Sequence, residues 1–369
     1  MKYHRLCSRL DSGKPGRFRV GLVASLGLLL LFGIFSGISS AATSSQSAKF
    51  AKLIEAAKQE GVIDFAGPSS LTPKGAQALI AGLNKKYNLN LKLNYIPETN
   101  YPAVISKTIT EIQAGQPPTH DVIYVTEFNL AKLYSRDFLD PLDWTGTFDH
   151  MTKDSVYFDT GGILIATIFG LPVYNTNLVK SEDVPKQWED LLSPKWKGKI
   201  VVPKYVQVWV SLSDVWGEEK TIDFLKRLRA QDPLYVLYPE IQTRLASGEY
   251  LLAANQVSPF VEIAKRRGIP LDYVDKVTPV PVLFDMMGIP KKARHPNAAK
   301  LLAAFSLTPE GQEIWSNFTG RSSLFVSGTP AAKFVQGKKL LFRDMKALVE
   351  TPERFEKLET KFADVLGIR

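Results

Sequence analysis

Cysteine is nearly absent from this sequence. Its 369 residues contain one, Cys7, which stands in a basic stretch at the N-terminus. This excludes a disulfide-stapled scaffold, a cysteine nucleophile and a thiolate metal site in the remainder of the chain. The 327 residues from 43 to 369 are enough to bury a hydrophobic core without covalent cross-links.

Histidine is also scarce, and the common catalytic motifs are missing. Beyond residue 42 only His120, His150 and His295 occur, far apart and without the HExxH spacing of a zinc site. The sequence contains no GxSxG elbow, no GxxxxGK[ST] phosphate loop and no GxGxxG turn. We therefore expect no enzymatic activity, no metal site and no cofactor.

The excess of positive charge is small once the N-terminus is set apart. The whole chain carries +9, but residues 1–42 hold six basic residues against Asp11 alone, which leaves 40 basic and 36 acidic residues beyond them. A net charge of +4, evenly spread, is too weak for an electrostatic nucleic-acid footprint. We expect no nucleic-acid partner.

One long hydrophobic run follows the basic stretch. Val20–Ile38 is apolar and is followed by Ser39-Ser40-Ala41-Ala42, small residues typical of a signal-peptidase site. We expect residues 1–42 to be a cleavable signal peptide and the mature chain to begin near Ala42 or Thr43 in the periplasm. The alternative is a retained membrane anchor, because 19 residues approach the ~20 that span a bilayer core.

The segment after the signal predicts an α/β fold. Strand-like Val62–Ala66, Leu89–Tyr95 and Asp121–Val125 alternate with helical segments, which is typical of a parallel sheet covered by helices. Ligands bind such sheets at the carboxyl ends of strands. The candidate residues there are Ser69, Ser70, Thr126 and Glu127, and the alternative for Glu127 is a helix cap.

Two longer motifs carry a family resemblance. Val173–Pro203 reads VYNTNLVKSEDVPKQWEDLLSPKWKGKIVVP, and His295–Trp315 reads HPNAAKLLAAFSLTPEGQEIW. Together with Gly248–Ala254, these stretches resemble the iron(III)-type branch of the periplasmic solute-binding proteins of ABC importers. The resemblance extends from about Phe50 to Arg321.

The resemblance implies a two-lobed type II fold with a ligand cleft between the lobes. It assigns residues 45–170 plus 277–325 to the first lobe, 171–276 to the second, and 326–369 to a C-terminal helical segment. It implies a monomeric receptor that captures a small solute and delivers it to the membrane permease. The alternatives are a receptor for ferric iron or another metal, and a ligand-sensing receptor that partners a sensor protein.

Departures from the family affect the expected ligand. Ferric-binding members carry adjacent tyrosines after the strand that corresponds to Leu251–Ala254, whereas this chain has Asn255 and Gln256. We therefore expect a small organic solute in preference to ferric iron, and an anionic solute is one candidate. The candidate contacts from the second lobe and the returning segment are Tyr174, Lys204, Tyr205, Gln207, Asn255, Gln256 and Asp285. For Lys204 the alternative is a solvated surface side chain.

Overall fold

The computed structural model describes the backbone of residues 36–368 and the side chains of residues 45–368. Most of the expected signal peptide lies outside this range. The chain divides into a first unit, Met1–Ser44, and a second, Ser45–Arg369. No helix within the described range is both long and apolar enough to cross a membrane.

Helices and strands alternate along the chain, as expected. The helices are α1 (Ser36–Glu60), α2 (Thr72–Tyr87), α3 (Tyr101–Gln113), α4 (Glu127–Tyr134), α5 (Gln207–Trp216), α6 (Glu218–Arg229), α7 (Tyr238–Ala246), α8 (Ser258–Arg266), α9 (Pro296–Ser306), α10 (Pro309–Thr319), α11 (Pro330–Phe334), α12 (Met345–Glu350) and α13 (Pro352–Leu366). The strands are β1 (Val62–Pro68), β2 (Lys92–Glu98), β3 (Val122–Thr126), β4 (Val156–Tyr157), β5 (Gly162–Asn175), β6 (Ile200–Pro203), β7 (Leu234–Val236), β8 (Leu252–Val257), β9 (Leu271–Tyr273), β10 (Val280–Gly288) and β11 (Leu340–Phe342).

Local sequence signals explain where several helices begin and end. The Thr308 hydroxyl accepts a hydrogen bond from the Gly311 N–H at 3.1 Å, so it caps α10, and Pro309 occupies the first helical position. Gly320 ends this helix in the left-handed conformation, at φ 71°. Helix α2 ends similarly, at left-handed Asn88.

The strands form one curled sheet in the order β2-β1-β3-β10-β5-β8-β6-β7, with β11 on β10 and with β4 and β9 on β5. Strands β2, β1 and β3 are parallel, and so are β7, β6 and β8. Strand β5 runs antiparallel to both β10 and β8. The sheet therefore has two parallel flanks joined by an antiparallel centre.

Strand β5 is the continuous link between the two flanks. Residues up to Phe169 pair with β10, and residues from Gly170 onward pair with β8 and β9. The apolar pattern of this segment predicts two short strands, Ile163–Phe169 and Leu171–Tyr174, but the structure has a single strand of 14 residues. Nearly all of β5 is buried on both faces. Its sequence is therefore a nearly continuous apolar run, without the polar–apolar alternation that would mark one strand.

The C-terminal segment also differs from expectation. The charged amphipathic pattern of Arg343–Leu366 predicts a single helix, but the structure has two, α12 and α13, separated at Thr351. Pro352 explains the break, because proline disfavours a helical conformation in the residue before it. Helix α12 packs on α4, and α13 packs on α5 and α6.

Candidate solute-binding site

Four polar side chains meet near the carboxyl end of β1. The Asp285 Oδ2 atom accepts hydrogen bonds from the Tyr124 hydroxyl at 2.8 Å and from Arg321 Nε at 2.9 Å. Arg321 Nη1 donates to the Ser70 hydroxyl at 2.8 Å. We call Ser70, Tyr124, Asp285 and Arg321 the arginine cluster. Ser70 and Asp285 were expected at the site, and the structure brings them together through Arg321.

The chain around Arg321 is held tightly in place. A Cβ atom on Gly320 would lie 2.3 Å from the Pro259 carbonyl oxygen, so only glycine fits there. Next to it, the Ser322 carbonyl accepts the Thr167 N–H at 3.0 Å, which lays this segment along β5. On the other side of β5, Asp285 of β10 is paired with Ala166 of β5. Arg321 and Asp285 therefore lie on opposite sides of β5, and their ion pair crosses this strand at Ala166, whose side chain is small.

Electrostatics fix the protonation states in the arginine cluster. Burial and the neighbouring Asp285 carboxylate raise the pKa of Tyr124 well above its ordinary value. Burial would lower the pKa of Arg321, but Tyr124, Asp285 and Tyr101 raise it overall. Tyr124 is thus a neutral hydrogen-bond donor, and Arg321 is a permanent cation paired with Asp285.

A second group, rich in tyrosine, lies where β6 and β8 end. The rings of Tyr205 and Tyr238 stack at 4.9 Å between centroids, and Phe260 stacks on Tyr238 at 6.2 Å. The Tyr238 hydroxyl donates to Asn255 Oδ1 at 3.2 Å, and the Gln256 side-chain amide donates to the Tyr238 carbonyl at 2.9 Å. We call these five residues the tyrosine cluster. Three of them, Tyr205, Asn255 and Gln256, were expected at the site.

Asn255 retains unused hydrogen-bonding capacity inside the tyrosine cluster. Its side chain is fully buried, and its Nδ2 group has no hydrogen-bond partner among the described residues. Strand alternation places Asn255 on the same face of β8 as Val257. A buried amide N–H without a partner costs roughly 1–3 kcal/mol, which a bound acceptor would recover.

The two clusters border one face of the central strands. Ile168 of β5 is paired with Leu283 of β10. These two residues pack with Val257, Tyr238 and Phe260. The next pair on this face is Ala166 with Asp285. Positions two residues apart on one strand face are about 7 Å apart. The arginine cluster therefore borders Tyr238 and Phe260, the aromatic side chains of the tyrosine cluster that pack on this face.

Other expected site residues stand outside these hydrogen bonds. Ser69 and Lys204 are exposed, beside Ser70 and Tyr205 respectively. The Thr126 hydroxyl accepts a hydrogen bond from Asn129 Nδ2 at 2.9 Å. Tyr174 is half-buried on β5 opposite Leu252, and burial together with Asp272 raises the pKa of its hydroxyl.

Glu127 and Gln207 gather instead around Arg343. Arg343 Nη1 lies 3.1 Å from Glu127 Oε1, and Arg343 Nη2 donates to the Gln207 carbonyl at 3.5 Å. Glu127 Oε2 accepts the Phe284 N–H at 3.1 Å, and both charged side chains are buried. These contacts give Glu127 a structural partner and account for its burial without a solute.

Arg321, Tyr238 and Arg343 were missed by sequence reasoning. The sequence of Leu234–Tyr238 predicts a strand that ends at Tyr238, but Tyr238 begins α7. Pro239, at the second position of the helix, is the signal that could have shown this. The two arginines carry no local signal, because their partners are distant in sequence.

One group of potential metal ligands lies at the other end of β1 and β3. Oxygen or nitrogen atoms of Asp64, Asp121 and His295 lie within 4.8 Å of one another. Asp121 accepts hydrogen bonds from the Asp64 N–H at 2.8 Å and from the backbone and ring nitrogens of His295 at 2.9 and 2.8 Å. This network ties the start of α9 to the sheet.

Comparison with known proteins gives the family. The bacterial extracellular solute-binding protein family matches residues 78–341, which is most of the chain. The chain belongs to this family. A Haemophilus influenzae protein is 29% identical over 156 residues, which cover 40% of this solute-binding protein and 45% of that relative. The chain thus matches less than half the length of this relative.

Solved structures show the same fold at low sequence identity. The substrate-binding protein of an ABC transporter from Agrobacterium tumefaciens is 15% identical, with a TM-score of 0.67 over 83% of this chain and 94% of that one. Iron-bound HitA from Pseudomonas aeruginosa is 18% identical, with a TM-score of 0.64 over 82% and 99%. The expected family and the two-lobed α/β fold are confirmed.

Proposed function

We propose that this solute-binding protein is the receptor of an ABC importer, which captures a small solute in the periplasm and delivers it to a membrane permease. Family membership and the fold shared with an ABC-transporter binding protein support this role. The N-terminal charge and apolar pattern supports export by a cleavable signal peptide. We expect the receptor to act as a monomer without catalysis.

The lobes we propose are residues 45–170 plus 277–325 and residues 171–276, with 326–369 as a C-terminal segment. The change of pairing partners at Gly170 supports the first boundary. The step from β9, paired with the second half of β5, to β10, paired with the first half, supports the second. Two crossings allow rigid-body closure while each core stays packed.

The solute-binding site we propose lies between the arginine cluster and the tyrosine cluster. The observation that carries it is that both clusters border one face of β5 and β10, on either side of the proposed lobe boundary. Closure of the lobes would bring Ser70 and Arg321 toward Asn255 and Tyr238. Ser69, Lys204 and Tyr205 lie at positions adjacent to these clusters and complete the proposed site.

Ferric iron is the second candidate, because the stacked Tyr205 and Tyr238 are a tyrosine pair near the position where ferric-binding relatives have theirs. Two features favour an organic solute over the metal. Burial and Tyr205 raise the pKa of Tyr238, which disfavours the phenolate that Fe³⁺ requires. The Tyr238 hydroxyl is also committed to Asn255.

A thermal-shift screen of the exported protein tests this function. The panel contains organic acids, sugar phosphates, sugars, putrescine and ferric citrate. A solute at 100 times its Kd should add about 2.7 kcal/mol to the free energy of unfolding. Uptake of the stabilising solute by cells with and without the gene then tests delivery to the permease.

Two results would contradict the importer role. One is that no compound stabilises the protein. The other is that deletion of the gene leaves uptake of the stabilising solute unchanged, which would favour the sensor-partner alternative. Stabilisation by ferric ion alone would select the metal receptor.

A further inference from the structure

We propose that the solute is an oxyanion, a carboxylate or a phosphate-type group on a carbon body, and that Arg321 and Asn255 recognise its charged end. This inference rests on the proposed function and names the chemical class of the solute. It is carried by the balance of hydrogen-bond donors and acceptors at the two clusters.

The carboxylate of the arginine cluster and that of Glu127, which follows the residue paired with Asp285 on β3, are already neutralised. Asp285 accepts from both Tyr124 and Arg321, and only 9% of its side chain is exposed. Glu127 is paired with Arg343 and fixed to the Phe284 N–H. A cationic solute would therefore find no uncompensated carboxylate at either cluster and would have to break an existing ion pair.

Donors, by contrast, remain available. Arg321 carries five N–H groups, and its side-chain hydrogen bonds among residues 45–368 use Nε and Nη1. About 16% of its side chain is exposed. Asn255 Nδ2 is buried and has no hydrogen-bond partner within the described part of the chain, while Asn255 Oδ1 accepts from Tyr238. An acceptor that carries negative charge is the partner that this set of donors lacks.

Helix α8 adds positive potential at the same place. Its nine residues follow Val257, which provides no side-chain cap for the first turn. The close contact of Gly320 with Pro259 puts Arg321 beside this helix start. The start of α8 thus lies next to the backbone at Arg321 and three residues after Asn255 in the chain, so the positive end of its dipole borders the proposed site together with these two residues. Together they favour an anion over a neutral or cationic group.

The aromatic side chains of the tyrosine cluster, with Leu283 beside them, can pack against the carbon part of the solute. Tyr205 is exposed and stacks on Tyr238, while Leu283 and Phe260 are half-buried beside it. These surfaces can cover carbon atoms or a ring, and none of them adds a charge. A bare inorganic anion would fill only the charged end of such a site.

Inorganic phosphate and succinate are the probes for the charged end. Each is titrated into the exported protein, with sodium chloride at matched ionic strength as the reference, and the melting temperature is followed. We expect saturable stabilisation by at least one probe. The double variant Arg321→Gln/Asp285→Asn removes the guanidinium without leaving an unpaired carboxylate. The variant Asn255→Asp replaces the free donor by an oxygen of similar size. Each should weaken binding of the probe about tenfold or more.

Arg294→Gln is the control for loss of a guanidinium, because Arg294 is exposed and lies outside both clusters. It should leave the probe affinity unchanged. Circular dichroism and the melting temperature without probe check that each variant is folded. Because two variants act at separate residues, loss of folding in one leaves the other decisive.

Three outcomes would overturn the inference. They are no saturable stabilisation by either probe, equal affinity in the wild type and both site variants, and stronger binding of the probe to Asn255→Asp. Saturable stabilisation by putrescine or glucose, with no effect of phosphate or succinate, would refute the oxyanion class while the receptor role stands. Failure of every compound in both screens would refute the proposed function as well.

Discussion

Two histidines, buried His120 and half-buried His150, link the stability of this protein to pH. Desolvation lowers the pKa of His120, and nearby Lys107 lowers it further. Desolvation also lowers the pKa of His150, although its Nε2 lies 2.8 Å from the Ala304 carbonyl, which partly opposes the shift. The folded protein therefore holds both rings neutral at pH values where the unfolded chain binds a proton.

We predict that the free energy of unfolding falls as the pH is lowered through 6.5, the ordinary histidine value. Each histidine contributes a slope of at most about 1.4 kcal/mol per pH unit, until the pH reaches its lowered folded-state pKa. His150→Gln retains an amide donor for the Ala304 carbonyl and should flatten the profile. Urea unfolding from pH 5 to 8 measures it, and parallel profiles for the two proteins would contradict the prediction.

At the scale of elements, a buried ion pair lies beside β10 at the point where β10 has no neighbouring strand on one edge. Strand β3 pairs with β10 from Asp285 onward, and β11 pairs with it up to Val282, so Phe284 lies between the two ladders. The Glu127 carboxylate accepts the Phe284 N–H, and Arg343, directly after β11, balances its charge. Burial raises the pKa of Glu127, and Arg343 opposes this shift.

We predict that Arg343→Met lowers the free energy of unfolding by about 3–5 kcal/mol, because it leaves the Glu127 carboxylate buried without a counter-ion. The double variant Glu127→Gln/Arg343→Met should recover most of this loss, since the glutamine oxygen can still accept the Phe284 N–H. Urea denaturation of the wild type, both single variants and the double variant gives the coupling. Additive losses would show that the two charges do not depend on each other.

At the scale of the whole molecule, Gly170 occupies the point where β5 passes from one flank of the sheet to the other. A Cβ atom there would lie 2.3 Å from Val208 Cγ2 on α5. Val208 is fully buried and Gly170 is buried on both faces, so neither side has room to yield. This contact fixes how closely α5 approaches the strand that joins the proposed lobes.

We predict that Gly170→Ala lowers the free energy of unfolding by about 1–3 kcal/mol through overpacking. Adding Val208→Ala removes the obstructing methyl groups, so the double variant should be more stable than the sum of the single effects by about 0.5–3 kcal/mol. Thermal or urea unfolding of the four proteins measures this coupling. No coupling would mean that β5 or α5 shifts freely at the crossing.

Local sequence patterns predicted much of the fold and part of the candidate site. Apolar runs bounded by turn residues located β1 and β3, because these signals act over a few residues. They also predicted Ser70 and Thr126 at strand ends. They were wrong about Asn255 and Gln256, which were expected after a strand but lie inside β8. Boundary errors of this size are expected where a strand is buried on both faces.

The sequence by itself determined the α/β order, the motifs of the family and the absence of the common catalytic motifs. Only the tertiary structure decided which charges meet. Ser70 and Arg321 are 251 positions apart, and Glu127 pairs with Arg343 from the far end of the chain. Such pairs leave no periodic or local trace, because their geometry depends on the register of β5 and β10 and on where β11 ends. The arginine cluster and Asn255 come to border one face of the sheet only when its central strands have formed.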